Sequence, residues 1–103
     1  MATARQLELA EFGVEVLDLL RHTPDGRPVF TGWIACRLGV GVDGAYSPPQ
    51  WLRHLLARLQ RQGLVERATE AWCQPGPYWR LTAFGWRWDG SVADLARPIR
   101  REA

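Results

Sequence analysis

The chain contains no lysine and no asparagine, one methionine, and two cysteines in 103 residues. Without lysine, all 13 basic residues are arginine. The planar arginine fork binds phosphate or guanine edges bidentately, which an ammonium cannot do. Cys36 and Cys73 lie far apart and fit no metal-ligand spacing. Two reduced thiols in a cytosolic protein are the expectation, with a disulfide as the alternative. No apolar run approaches the roughly 20 residues of a membrane span. Ala2 to Gln6 lead directly into an acid-bearing amphipathic segment, which does not read as a secretory leader. A cytoplasmic chain with no membrane partner is therefore expected. There is no internal repeat and no low-complexity tract. Nor is there a nucleophile, base and orienter constellation, or a phosphate-binding glycine loop, so neither an enzyme nor a cofactor is expected. His22 and His54 are isolated and form no metal cluster with the cysteines.

Apolar residues make up 47% of the chain, ample for one core at this length. The formal charge of +2 is too small to argue for nucleic acid by itself. Its distribution says more. From Ser47 to Arg67 there are four arginines, one histidine and a single acid, Glu66. The first helical segment holds Glu8, Glu11, Glu15 and Asp18, so charge is polarised between faces.

The Ser47–Arg67 stretch, SPPQWLRHLLARLQRQGLVER, reads as one punctuated helix over 48–62. Ser47 is placed to cap it, Pro48 suits the first helical position, and Gln50 completes a capping box. Gly63 can take the left-handed conformation that ends a helix. At about 100° per residue, Leu52, Leu55, Leu56 and Leu59 form one stripe. Gln50, His54, Ala57 and Arg61 fall opposite, flanked by Arg53 and Arg58. A buried stripe backed by arginines with no acid suits a helix lying in a nucleic-acid groove. The plainer reading is a solvated amphipathic helix.

Elsewhere, Thr3 and Gln6 have capping-box spacing ahead of a first helix carrying Leu7, Ala10, Val14, Leu17 and Leu20. It ends before Pro24, in turn chemistry. Thr31 is a candidate cap for a short helix over 32–38, closed by Gly39 and Gly41. Leu64 to Leu81 reads as a hairpin turning at Gln74–Pro77. Thr82 caps a short helix containing Phe84 and Trp86. Ser91 with Asp94 caps a last turn, and the end of the chain reads as loose. The expected fold is mainly α with a small β-hairpin: a three-helix core plus wing, a winged helix-turn-helix domain over 1–90, followed by a short C-terminal helix and tail over 91–103.

Several motifs carry a family resemblance. Thr31-Gly32-Trp33-Ile34 resembles the start of the second helix in PadR-type winged-helix transcription regulators. Leu55-Leu56-Ala57-Arg58-Leu59 and Gln62-Gly63-Leu64-Val65-Glu66 resemble the family's L-L-x-R-L-x-x-x-G-L-V-E signature. Gly76-Pro77, Tyr78-Trp79-Arg80-Leu81-Thr82 and Gly85 resemble its wing ending. The resemblance covers about half the chain, and MarR-type regulators are similar to a lesser degree. The chain departs from the family at Arg53, where a tyrosine is usual. It departs again at the wing tip, Thr69 to Pro77, which holds Glu70 and no basic residue. The part after Gly85 is shorter than the family's dimerisation helix. The resemblance implies a regulator of transcription that binds double-stranded DNA as a homodimer.

Ser47, Gln50, Arg53, His54, Arg58 and Arg61 are the candidate DNA-binding residues. The N-terminal members would reach base edges, and Arg58 and Arg61 would meet phosphates. Six tryptophans are present. Trp86 and Trp88, two apart, cannot both bury in one small core and are candidate dimer or partner contacts. The alternative reading is a winged-helix protein-interaction module that does not read DNA.

Overall fold

The computed structural model describes residues 3–23, 27–42, 47–69 and 77–96. Its elements are α1 (Ala4–Arg21), β1 (Val29–Phe30), α2 (Thr31–Leu38), α3 (Gln50–Arg61), β2 (Val65–Arg67), β3 (Tyr78–Leu81), α4 (Ala83–Arg87) and α5 (Val92–Ala96). This is a small α+β arrangement, mostly helical, with one three-stranded antiparallel sheet in the order β1-β3-β2. The sequence reading anticipated two of these strands. The third, β1, lines up Val29 with Trp79 and Phe30 with Tyr78 on the far edge of β3. Two residues are too short to show any period-two pattern.

The capping box of α1 forms as expected. The Thr3 N–H donates to Gln6 Oε1 at 2.7 Å, and the Gln6 N–H donates to Thr3 Oγ1 at 3.1 Å. Ala10, Gly13, Val16, Leu17 and Leu20 are buried along one face. At the far end His22 caps the helix, its Nδ1 2.7 Å from the Asp18 carbonyl oxygen.

The leucine stripe of α3 is the centre of the core. Leu52, Leu55, Leu56 and Leu59 are all buried, together with Leu17, Leu20 and Ile34. Leu38 packs at the margin and is only partly buried. Fully burying each such side chain contributes about 1.5–3 kcal/mol. The C-terminal end also agrees with expectation. Gly63 has φ of 78°, the Gly63 N–H donates to the Gln60 carbonyl at 3.0 Å, and the Leu64 N–H donates to the Leu59 carbonyl at 3.0 Å. These two bonds satisfy carbonyls that the ending helix leaves without partners.

The start of α3 differs from expectation. The helix begins at Gln50, Pro49 is the N-cap, and no side chain caps it. Ser47 and Gln50 therefore form no capping box, and Pro48 is not a helical residue. The cause lies in the Pro48-Pro49 pair. A residue preceding proline is pushed out of the α region, so Pro48 cannot open a helix, and the first helical residue follows the second proline.

Thr31 is likewise not a cap. It is the first residue of α2 and is 1% exposed. Its hydroxyl donates to the Pro77 carbonyl at 3.0 Å and accepts the Trp79 indole N–H at 2.8 Å. Trp79 is buried, and a buried indole N–H requires an acceptor. Thr31 supplies it and ties the start of α2 to β3.

The elements after β3 close the core. The Thr82 hydroxyl accepts from the Gly85 N–H at 2.9 Å and donates to the Gly63 carbonyl at 2.6 Å, fixing α4 to the end of α3. A Cβ on Gly85 would lie 2.0 Å from the Leu64 carbonyl oxygen, so only glycine allows this approach. Ser91 and Asp94 bond reciprocally at the start of α5, as expected. Leu95 and Ala96 are buried in the same core as α1 and α3. Arg21 Nη2 donates to the Gly85 and Trp88 carbonyls at 3.1 and 2.6 Å, anchoring α4 to the end of α1. No described helix is long and apolar enough to cross a membrane.

Candidate nucleic-acid interface

With the leucine stripe facing inward, Gln50, Arg53, His54 and Arg61 are all exposed on α3. No acid lies on this helix. The four acids of α1 are exposed on a different element. At its N-terminal end, α3 presents backbone donors as well as side chains. The earliest N–H groups of the ladder to find a carbonyl are those of Leu52 and Arg53, both directed at Pro49 O, at 3.1 and 3.4 Å. Those of Gln50 and Trp51 precede the ladder, where a helix carries partial positive charge and accepts anions.

The two flanks of α3 treat their arginines differently. On one flank, Arg58 is half-buried and its Nη2 donates to the Leu95 carbonyl at 3.4 Å. Gln62 Nε2 donates to the same carbonyl at 3.2 Å. This corrects the placement of Arg58 on the outward face. It lies about 60° round the helix from Arg61, on the side where Trp51 meets Phe12 of α1 with ring centroids 4.9 Å apart. There the end of α5 offers a carbonyl that the short helix cannot satisfy itself. That carbonyl draws the guanidinium inward.

On the other flank, Arg53 lines a cleft of about 350 Å³ with Thr31, Arg67, Pro77 and Trp79. The Arg67 guanidinium carbon lies 6.0 Å from the centroid of the Trp79 ring, in cation–π range. Both arginines are exposed. Among the described residues neither has an ion-pair partner. The neighbouring Arg80 does, with Glu66 at 3.0 Å. No local sequence pattern marks Arg67: it reaches this cleft through the pairing of β2 with β3, which sets it opposite Trp79.

The remaining predicted residues separate. Ser47 is exposed ahead of the helix, and its carbonyl accepts from the Val42 N–H at 2.7 Å. Trp86 is 48% exposed, beside Phe84 at 53% on the same short helix. Trp88 is half-buried against the core, with its carbonyl held by Arg21. Of the predicted contacts Trp86 is therefore exposed and Trp88 is not, while Phe84, two residues before Trp86, is exposed as well. Cys36 is a free, half-buried thiol, while Cys73 and Glu70 lie outside the described residues. Among the described residues no group of three His, Cys, Asp or Glu side chains is placed to hold a metal. Comparison with protein-family models, curated proteins and solved structures finds no match.

Proposed function

We propose that the protein is a winged helix-turn-helix regulator that binds duplex DNA through the outward face of α3. The observation that carries this reading is the composition of that face. Gln50, Arg53, His54 and Arg61 are exposed together with no acid among them, on a helix whose N-terminus is uncapped by any side chain. The order α1, β1, α2, α3, β2, β3 suits a winged helix, with α3 as the reading helix and the β2–β3 pair as the wing. The motif resemblance to PadR-type regulators points the same way. Gln50 and His54, near the N-terminal end, are the residues for base edges. Arg61, two turns further on, is the residue for a phosphate. One short helix reads few base pairs, so strong discrimination calls for a homodimer on two half-sites. The test is a titration of the purified protein with duplex DNA at several salt concentrations. Phosphate contacts make the logarithm of the affinity fall linearly with the logarithm of salt. Absence of binding at low salt would remove the reading.

A second reading is favoured by one observation. Phe84 and Trp86, two residues apart on a five-residue helix, are each about half exposed. Exposed aromatics of this kind mark contacts with protein. In this reading α4 docks on a protein partner and α3 is merely its solvated support. A protein that binds no duplex yet loses self-association on Trp86→Ala belongs to this class.

A further inference from the structure

We infer that Arg53 and Arg67 act as one clamp on a single DNA backbone phosphate, so that Arg53 is a positioning residue and not a reader of base edges. The inference rests on the DNA-binding reading and deepens it.

Arg53 comes from the first turn of α3 and Arg67 from the end of β2, yet both line the same cleft. Its floor is rigid. The Trp79 indole is held by the Thr31 hydroxyl at 2.8 Å, and that hydroxyl is itself held by Pro77. The Arg67 guanidinium carbon lies 6.0 Å from the centre of this ring, at the outer edge of cation–π range. No described carboxylate neutralises either guanidinium, and Glu66, the acid beside Arg67 in sequence, is engaged by Arg80. Two unneutralised guanidinium forks at one cleft suit one tetrahedral, doubly acceptable anion. The uncapped first turn of α3, which carries Arg53, adds its dipole with the same sign. The cleft lies on the flank of α3 that meets the sheet. Arg53 is turned about 60° away from Gln50 and about 100° from His54. A fork held there is directed at the strand bordering the groove, leaving Gln50, His54 and Arg61 on the central face. Phosphate contacts of this kind fix register without reading sequence.

The test is a double-mutant cycle on the full chain with a mixed-sequence duplex, read as affinity against salt. Arg53→Ala, Arg67→Ala and the double variant are compared, with the urea midpoint checking that each remains folded. Both side chains are exposed, so unchanged midpoints are expected. If the two share one phosphate, the double variant loses about 0.9 in the salt slope, the contribution of one phosphate. The combined loss of affinity then falls short of the product of the single losses by on the order of tenfold. A double variant that loses about 1.8 in slope, with multiplying single effects, means two separate phosphates and overturns the clamp. So does an Arg67→Ala variant that binds like the parent, or an Arg53→Ala variant that relaxes preference at one base position in a selected duplex. If the parent itself binds no duplex at low salt, the DNA reading fails, and the clamp fails with it before any variant is needed.

Discussion

The two flanks of α3 carry the same residue type to opposite ends. Towards α5, Arg58 turns in and donates to the Leu95 carbonyl beside Gln62. Towards the sheet, Arg53 stays outward in a cleft it shares with Arg67. The difference comes from what each flank meets. A short helix ending against α3 exposes carbonyls that need donors, and an arginine within reach supplies one. The cleft towards the sheet makes no such demand, since its Pro77 carbonyl already accepts from the Thr31 N–H and hydroxyl at 3.1 and 3.0 Å. Arg21 repeats the first pattern at the end of α1, donating to two carbonyls of the α4 region. Among the described arginines, Arg21 and Arg58 therefore donate to carbonyls at helix ends, Arg80 pairs with Glu66, and Arg53 and Arg67 stay exposed in the cleft. Neighbouring helix ends separate the first group from the last.

The largest expected effect removes the support common to both flanks. Leu56 is fully buried at the middle of the stripe. Leu56→Ala should lower stability by about 2–5 kcal/mol, through lost transfer energy and the cavity left behind. Urea unfolding would show it as a lower midpoint at unchanged slope, and a negligible shift would take Leu56 out of the core. Next in size is Gly85→Ala. The new methyl group would meet the Leu64 carbonyl oxygen at 2.0 Å, and that atom belongs to backbone. An overpacking loss of about 1–3 kcal/mol is expected. Equal thermal stability of parent and variant would mean that α4 is not pressed against the link after α3.

Two arginine substitutions bear on the comparison itself. Arg58→Ala should cost about 1 kcal/mol of stability, the order expected for a partly buried hydrogen bond, and leave the salt slope of DNA binding unchanged. Arg61→Ala should do the reverse: no change in the urea midpoint, weaker binding to all sequences alike, and a salt slope reduced by about one. If the two variants behave alike in both measurements, Arg58 is not set apart from the outward face. The smallest effect concerns α4. Trp86→Ala should leave the fold intact and shift the sedimentation profile towards monomer, because the side chain lies largely outside the core. A parent that is already monomeric at high micromolar concentration would exclude self-association through this face.

Much of this was legible in the residues. The leucine stripe, the Gly63 ending, the Thr3–Gln6 box and the Thr82 cap are local devices, each set by spacing within a few residues. What was not legible depends on contacts made far away in sequence. Thr31 looks like a cap until β3 arrives with an indole N–H to satisfy. Arg58 looks like part of the outward face until α5 places a carbonyl beside it. The β1 strand is two residues long and shows no pattern of its own. Arg67 gains its place at the cleft from pairing opposite Trp79, across a register that no local rule determines. The start of α3 is a different case, since the Pro48-Pro49 pair already forbids an earlier beginning. At the candidate site, exposure of Gln50, Arg53, His54 and Arg61 followed from the helical period, and only the distribution of arginines between flanks did not.

The most direct measurement of the central claim is the affinity for a mixed-sequence duplex between about 50 and 200 mM salt, for the parent and for Arg61→Ala. An outward face of α3 that grips at least two phosphates predicts a log–log slope of magnitude about 2 or more for the parent. It predicts a slope smaller by about one for the variant. A parent that binds no duplex at the low end of that range, or a variant with the parent's slope and affinity, would contradict the assignment of α3 as the DNA-binding element.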